Sequence, residues 1–113
     1  MLNHQKIEIL DSTLREGEQT PGVSFSVKQK IAMIKRLDAF GMDFIELGHP
    51  VVSPDVYEAV ETLNDLELHA KKMAHGRASK SDINDVATIE FETQIQCNKI
   101  RSIKAYRNMC EVW

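Results

Sequence analysis

KIEILDSTLREGEQ, Lys6 to Gln19, is the stretch on which the architecture turns. Ile7, Ile9 and Leu10 form a short apolar run bounded by polar residues, which predicts a buried strand over Lys6 to Leu10. A loop rich in Gly, Pro and Thr follows at once. A dinucleotide-binding fold would place glycines directly after its first strand, to bring backbone N–H groups against a phosphate. Thr13, Leu14, Arg15 and Glu16 stand there instead. If strands and helices alternate beyond this point, the loop favours part of a (β/α)8 barrel over an open doubly wound sheet.

They do alternate. From Val27 the apolar residues Val27, Ile31, Ile34 and Leu37 recur at helical spacing, Ser26 can cap the start, and Gly41 sits where a helix would end. Met42 to Leu47, MDFIEL, reads as a second buried strand ending at Gly48. Ser53, Pro54 and Asp55 are an N-cap, a first-turn proline and a first-turn acid, with Tyr57, Val60 and Leu63 marking an inward face. A third strand is placed at Lys72 to Ala74, with a start near His69 also open, although two lysines interrupt it. Ser79 or Ser81 can cap a third helix through Asp82, Ile83 and Val86. Strand-helix alternation at this spacing implies parallel strands with right-handed crossovers, an α/β architecture. A whole barrel takes about 250 residues. The 113 residues thus predict three units over 1–94, an incomplete amino-terminal part of a barrel, followed by a tail at 95–113.

Composition narrows the classes of partner. A net charge of −3 gives no basic footprint for nucleic acid or an anionic membrane. No apolar run approaches the roughly 18 residues that cross a bilayer. MLNHQKIEIL lacks the apolar core of a secretion signal, so a cytoplasmic protein is expected. Cys97 and Cys110 have no second pair with which to form a zinc site, and buried or free thiols are expected.

In a barrel the active site lies at the carboxyl ends of the strands, which places Asp11 to Gln19, Glu46 to His49 and His75 to Arg77 together. Arg15 beside Glu16, with Glu18 and Gln19 just beyond, can hold an anionic substrate and a cation at once. Guanidinium offers paired planar donors to a carboxylate or oxyanion, and Glu offers hard oxygen to a divalent metal. On residue types alone, a solvated charge cluster is the commoner reading. Asp11 can brace its own loop or act in the site. Glu46, an acid in an apolar strand end, is costly to bury alone, so pairing with Arg15 or a metal region is expected. His49 before Pro50 reads as a turn residue outside the site, and His4 and His69 as surface residues. Arg77 can bind a carboxylate or a phosphate, or form an exposed ion pair.

DSTLREGEQTPGVSF at Asp11 to Phe25 resembles the opening signature of the DRE-type barrel metalloenzymes, the family of the homocitrate and isopropylmalate synthases. FIELGHPVVSPD at Phe44 to Asp55 is similar to their second-strand segment, and AHGRASKSDI at Ala74 to Ile83 to their third. The Glu of LREGEQ, with GHP and HGRA, points toward the archaeal-type homocitrate synthases. The resemblance implies that Arg15 binds a 2-oxo acid and steadies the alkoxide formed from its carbonyl. It further implies that Glu16 is a metal ligand, Gln19 lines the site, Glu46 is the second-strand catalytic acid and His75 contacts the oxo acid. The implied reaction is a Claisen condensation of acetyl-CoA with 2-oxoglutarate to homocitrate, in lysine biosynthesis, with a divalent ion (Mg, Mn or Zn) polarising the oxo acid.

The family's His-x-His pair, which completes its metal site, is absent: the histidines are at 4, 49, 69 and 75. A lone carboxylate falls short of the three protein ligands usual for a catalytic metal, so weak metal binding and an inactive isolated fragment are expected. From about Ile95 to Trp113 the resemblance is expected to stop altogether. Either the tail is read out of frame, or it is an amphipathic helix with Ile100, Ile103, Tyr106, Met109 and Trp113 on one face. Two other readings stay open: isopropylmalate or citramalate synthesis, and a noncatalytic binding or assembly module. A homo-oligomer or a complementing barrel half are the implied protein partners.

Overall fold

A computed structural model describes residues 5–77 and 79–89. Within them, strand and helix alternate as β1 (Leu10–Asp11), α1 (Val27–Phe40), β2 (Phe44–Glu46), α2 (Pro54–Asn64), β3 (Lys71–Met73) and α3 (Lys80–Thr88). The strands form one sheet in the order β1-β2-β3, and both pairs are parallel, with Leu10 opposite Phe44 and Phe44 opposite Lys71. This is the α/β arrangement expected from the alternation. His4, Cys97, Cys110 and the tail at 95–113 lie outside the described residues.

The helices begin and end on local chemistry. Ser26 and Gln29 form a reciprocal capping box at the start of α1, the Ser26 hydroxyl accepting from Gln29 N and the Gln29 side chain from Ser26 N. Gly41 ends α1 at φ 100°, a left-handed conformation that favours glycine. Ser53 caps α2 by accepting from Val56 N at 3.2 Å, with Pro54 in the first turn where its missing N–H costs nothing. Of the two serines open as caps of α3, Ser79 is the one used.

The core lies between the sheet and the helices. Ile45 and Leu47 of β2, Ala74 after β3, Ile34 of α1, Val60 and Leu63 of α2, and Ile83 and Val86 of α3 are buried in one cluster. Alternation along a strand then assigns Phe44, Glu46, Met73 and His75 to the opposite face. Lys72 belongs to the helix-facing set, and this explains the lysines that interrupt the third strand. Its ammonium donates to the carbonyls of Asn64 and Leu66 at the end of α2, while Lys71 on the other face lies 5.2 Å from the centre of the Phe44 ring.

One expectation fails. The strand predicted as buried over Lys6 to Leu10 is instead the pair Leu10–Asp11, and Ile7 and Ile9 are 85% and 53% exposed. The hydrogen bonding to the second strand does begin at Ile9, whose carbonyl accepts from Asp43 N and Phe44 N, both at 3.1 Å. β1 is nevertheless an edge strand paired on one side only, and Leu10 within it, like Ile7 and Ile9 before it, stays exposed.

Candidate active site

Glu46 sits at the end of β2 on the face away from the helix-packed core, and it is fully buried. A carboxylate without water needs donors, and they come from the neighbouring strand ends. Arg15 Nε donates to Glu46 Oε1, and Ser12 Oγ donates to Oε2 at 2.7 Å. His75, two residues past β3, brings Nδ1 within 3.6 Å of Oε1. The pairing of Glu46 with Arg15 expected from the cost of burying an acid is thus present, and residues from all three strand ends converge on this carboxylate.

The first loop, which the sequence predicts only as a loop, is shaped by a π-helical turn, Thr13–Gly17. Buried Leu14 anchors the turn, and Arg15 follows it into the site. Asp11 braces the entry: its two oxygens accept from Thr13 N and Thr13 Oγ1, both at 3.0 Å. Arg15 also donates through Nη1 to Glu16, whose side chain is 58% exposed. A guanidinium carries five N–H donors, and among the described residues Nη2 has no partner. Glu18, at the edge of a cavity beside Arg15, is held toward α1. Its Oε2 lies 2.8 Å from the ammonium of buried Lys30 on α1, and its Oε1 accepts from Phe25 N at 3.1 Å. Gln19 lines the same cavity, of about 140 Å³, with Leu14, Gly48, His49, Val52 and Val56.

His49, set aside in the sequence as a turn residue, belongs to the cluster. Its ring meets that of His75 edge to face, centroids 4.7 Å apart at 80°. On its other side Nε2 lies 3.3 Å from Oδ2 of Asp82, a fully buried carboxylate in the first turn of α3. Asp82 also accepts from Arg77 N at 3.1 Å, Arg77 Nε at 2.8 Å, Arg77 Nη2 at 3.1 Å and Ser79 Oγ at 2.9 Å. Chiefly the Arg77 side chain, with Ser79 and His49 adding, holds the Asp82 carboxyl well below the usual carboxylate range although burial opposes it. Arg77 is therefore engaged in an ion pair with Asp82. Burial, aided by Arg15 and then His49, pushes His75 below the ordinary histidine value, against the opposing charges of Glu46 and Glu16. His75 is accordingly a neutral ring at neutral pH. His69 is exposed, as expected.

The signal that could have found His49 is positional. In a parallel sheet the loops leaving adjacent strands emerge on one side, and His75 N donates to Gly48 O at 2.8 Å, so the residues beside this bond are neighbours. Gly48 has φ 150°, and a Cβ there would meet Val60 Cγ2 at 3.2 Å, so the close approach of this loop to α2 favours glycine.

A family model described as HMGL-like matches residues 6–109. The chain belongs to the HMGL-like family. Residues of this HMGL-like chain are 48% identical over 93 positions to a homocitrate synthase of Sulfolobus acidocaldarius, covering 79% of the chain and 20% of that protein. They are 49% identical over 84 positions to a homocitrate synthase of Pyrococcus horikoshii, covering 74% of the chain and 23% of that protein. A homocitrate synthase of Saccharolobus solfataricus is 46% identical over 91 positions, with 77% and 20% covered. The chain spans about a fifth of the length of these relatives.

In the HMGL-like chain, the residue types suited to a hard divalent ion are present in only partial number. Among the described residues no group of three His, Cys, Asp or Glu side chains could hold a metal. Glu16 is an exposed carboxylate at the mouth of the cluster and fits the part of one ligand, whereas Glu46 and Asp82 are buried and already engaged by protein donors. No helix among the described residues is long and apolar enough to cross a membrane.

Proposed function

We propose that the chain supplies the first three β/α units of a (β/α)8 barrel acyltransferase of homocitrate-synthase type. The relatives' names support this reading, as does the convergence of Arg15, Glu46 and His75 at the carboxyl ends of three parallel strands. The exposed side chains of Ile7 and Ile9, in the segment leading into the edge strand β1, support an association with the remaining units or a complementing barrel half. In the reaction, a general base not assigned to this chain takes a proton from the methyl group of acetyl-CoA, the carbanion adds to the carbonyl carbon of a 2-oxo acid, the resulting alkoxide is protonated, and water hydrolyses the thioester to release CoA.

One observation carries the assignment of roles: Glu46 and Glu16 occupy Nε and Nη1 of Arg15 and leave Nη2 free among the described residues. A guanidinium held this way is positioned before substrate arrives, so its remaining donors can meet the 2-oxo acid and the alkoxide that develops from its carbonyl. Glu46 keeps Arg15 in place, and buried Glu46 and neutral His75 set the polarity of the floor. His75 contacts the oxo acid, and Gln19 lines the adjoining cavity. Glu16 contributes one ligand to a divalent ion whose other ligands lie outside the described residues, and that ion would polarise the oxo acid when bound. The oxo acid favoured is 2-oxoglutarate, with acetyl-CoA as the donor.

The test is a segment exchange. Residues 6–89 replace the matching segment of the Sulfolobus acidocaldarius homocitrate synthase, and thiol release from acetyl-CoA is followed with 2-oxoglutarate, 2-oxoisovalerate or pyruvate. The chimera is expected to release CoA fastest with 2-oxoglutarate, and Arg15→Ala to lower the rate by about 100-fold or more, as loss of an oxyanion donor does. A folded chimera that prefers another acid overturns the substrate, and one that is indifferent to Arg15→Ala overturns the role of Arg15.

A further inference from the structure

His75 is held by little that is directional. Its Nδ1 lies 3.6 Å from Glu46 Oε1, beyond a good hydrogen bond, and no other hydrogen bond to its ring is made among the described residues. The close contact that fixes its ring plane is the edge-to-face packing against His49. His49 is itself tethered, through Nε2 at 3.3 Å, to Oδ2 of Asp82. That carboxylate is fully buried and is fixed by four donors from Arg77 and Ser79. An ionised carboxylate only accepts, so the His49 nitrogen facing it must carry the proton. A line of contacts therefore runs from the start of α3, through the loop after β2, to the ring after β3.

We propose that Asp82 and His49 are positioning residues for His75: Asp82 locks His49 as its Nε2–H tautomer and in one ring orientation, and the locked ring holds His75 with Nδ1–H toward Glu46. The consequence is a His75 whose Nε2 is bare and available as an acceptor for a ligand's hydroxyl, such as the one that the oxo acid's carbonyl becomes once the alkoxide is protonated. What that ligand is rests on the proposed function, whereas the state of the two rings does not and is read without any ligand. A mere tie between the Pro50–Val52 turn and α3 would stabilise the fold and leave His75 indifferent to the identity of residue 49.

The experiment uses the 113-residue chain labelled with ¹⁵N, with ring nitrogens observed through long-range proton-nitrogen correlations at neutral pH. In the unsubstituted chain, His49 Nε2 is expected to show the shift of a protonated nitrogen and His75 that of a single tautomer protonated at Nδ1. His49→Phe keeps a ring against His75 and deletes the donor to Asp82. It should move the His75 nitrogens toward the average of two tautomers. His49→Gln, whose amide nitrogen can reach where Nε2 stood but which offers His75 no ring, keeps the tie to Asp82 and should likewise leave the His75 shifts averaged. A bare Nε2 on His49 in the unsubstituted chain overturns the proposal, as do His75 shifts unchanged by His49→Phe or by His49→Gln. Should His49→Phe lose the dispersed amide spectrum of the fold, the unsubstituted chain and His49→Gln decide by the same criteria.

Discussion

Arg15 and Glu46, 31 residues apart in sequence, meet at the carboxyl ends of neighbouring strands, with the guanidinium Nε–H donating to a carboxylate that no solvent reaches. Each makes the other tolerable in that position. Removing Arg15 would leave a buried carboxylate with Ser12 as its one remaining hydrogen-bond donor, and removing Glu46 would leave a mostly buried guanidinium paired only with the exposed Glu16 among the described residues. Breaking a buried pair from one side costs about 3 kcal/mol or more. Glu46→Ala and Arg15→Ala are each expected to cost about that much in urea unfolding. Arg15→Met with Glu46→Leu should cost less than the sum of the two single changes, and strict additivity would show that the pair is not coupled.

Lys30 and Glu18 make a second such pair on the other side of the first loop. The ammonium of Lys30 is 2.8 Å from Glu18 Oε2, and Lys30 is only 4% exposed. Because Glu18 also accepts from Phe25 N, the pair ties the loop that carries Arg15 and Gln19 to the first turn of α1. Lys30→Ala is expected to lower stability by about 3 kcal/mol. It should also speed amide hydrogen exchange through residues 15–25 more than in α2. Uniform acceleration across the chain would mean that Lys30 acts on the whole fold and not on the loop.

The capping box at Ser26 gives a prediction of smaller size. Ser26 and Gln29 each satisfy a backbone N–H at the start of α1 that would otherwise lack an intrahelical partner. Ser26→Ala should cost about 1 kcal/mol in chemical unfolding, and Ser26→Asp should recover most of it, since Asp caps equally well. No loss in the alanine variant would place the start of α1 under tertiary control.

These three cases differ in how far they could be read from sequence. The capping box is local: a serine three residues before a glutamine, ahead of an apolar period, leaves little choice. Glu46 was legible because a carboxylate in an apolar strand end must find a partner, and Arg15 was the cation the barrel geometry brought near. Lys30 and His49 were not legible, for one physical reason. Each is a polar residue in a segment with an adequate local explanation, a helix face for Lys30 and a turn before proline for His49. Only the partners Glu18 and Asp82, 12 and 33 residues away, give them another role. The exposed β1 shows the converse error, since an apolar run reports a capacity for burial and not the presence of a layer to meet it.

Acid should weaken the fold in two stages, and the sign follows from the lowered values of His75 and Asp82. The ordinary values are 6.5 and 3.8, and each group sits below its own in the folded chain. Between the two values of either group the unfolded chain binds the proton and the folded chain does not, so stability rises with pH across that interval. For His75, faced by Arg15, His49, Glu46 and Glu16, the contribution is complete above 6.5 and is lost as pH falls toward its folded value. For Asp82 the same loss begins only near 3.8, as protonation forces it away from Arg77, Ser79 and His49. Urea midpoints measured across this range should decline below about pH 6.5 and again below about pH 4. His75→Gln should flatten the upper decline and leave the lower one, while Asp82→Asn should do the reverse. A midpoint that climbs as the chain is acidified from about pH 7 to about 5 would mean that the folded state takes up His75's proton more readily than the unfolded one, contrary to its burial.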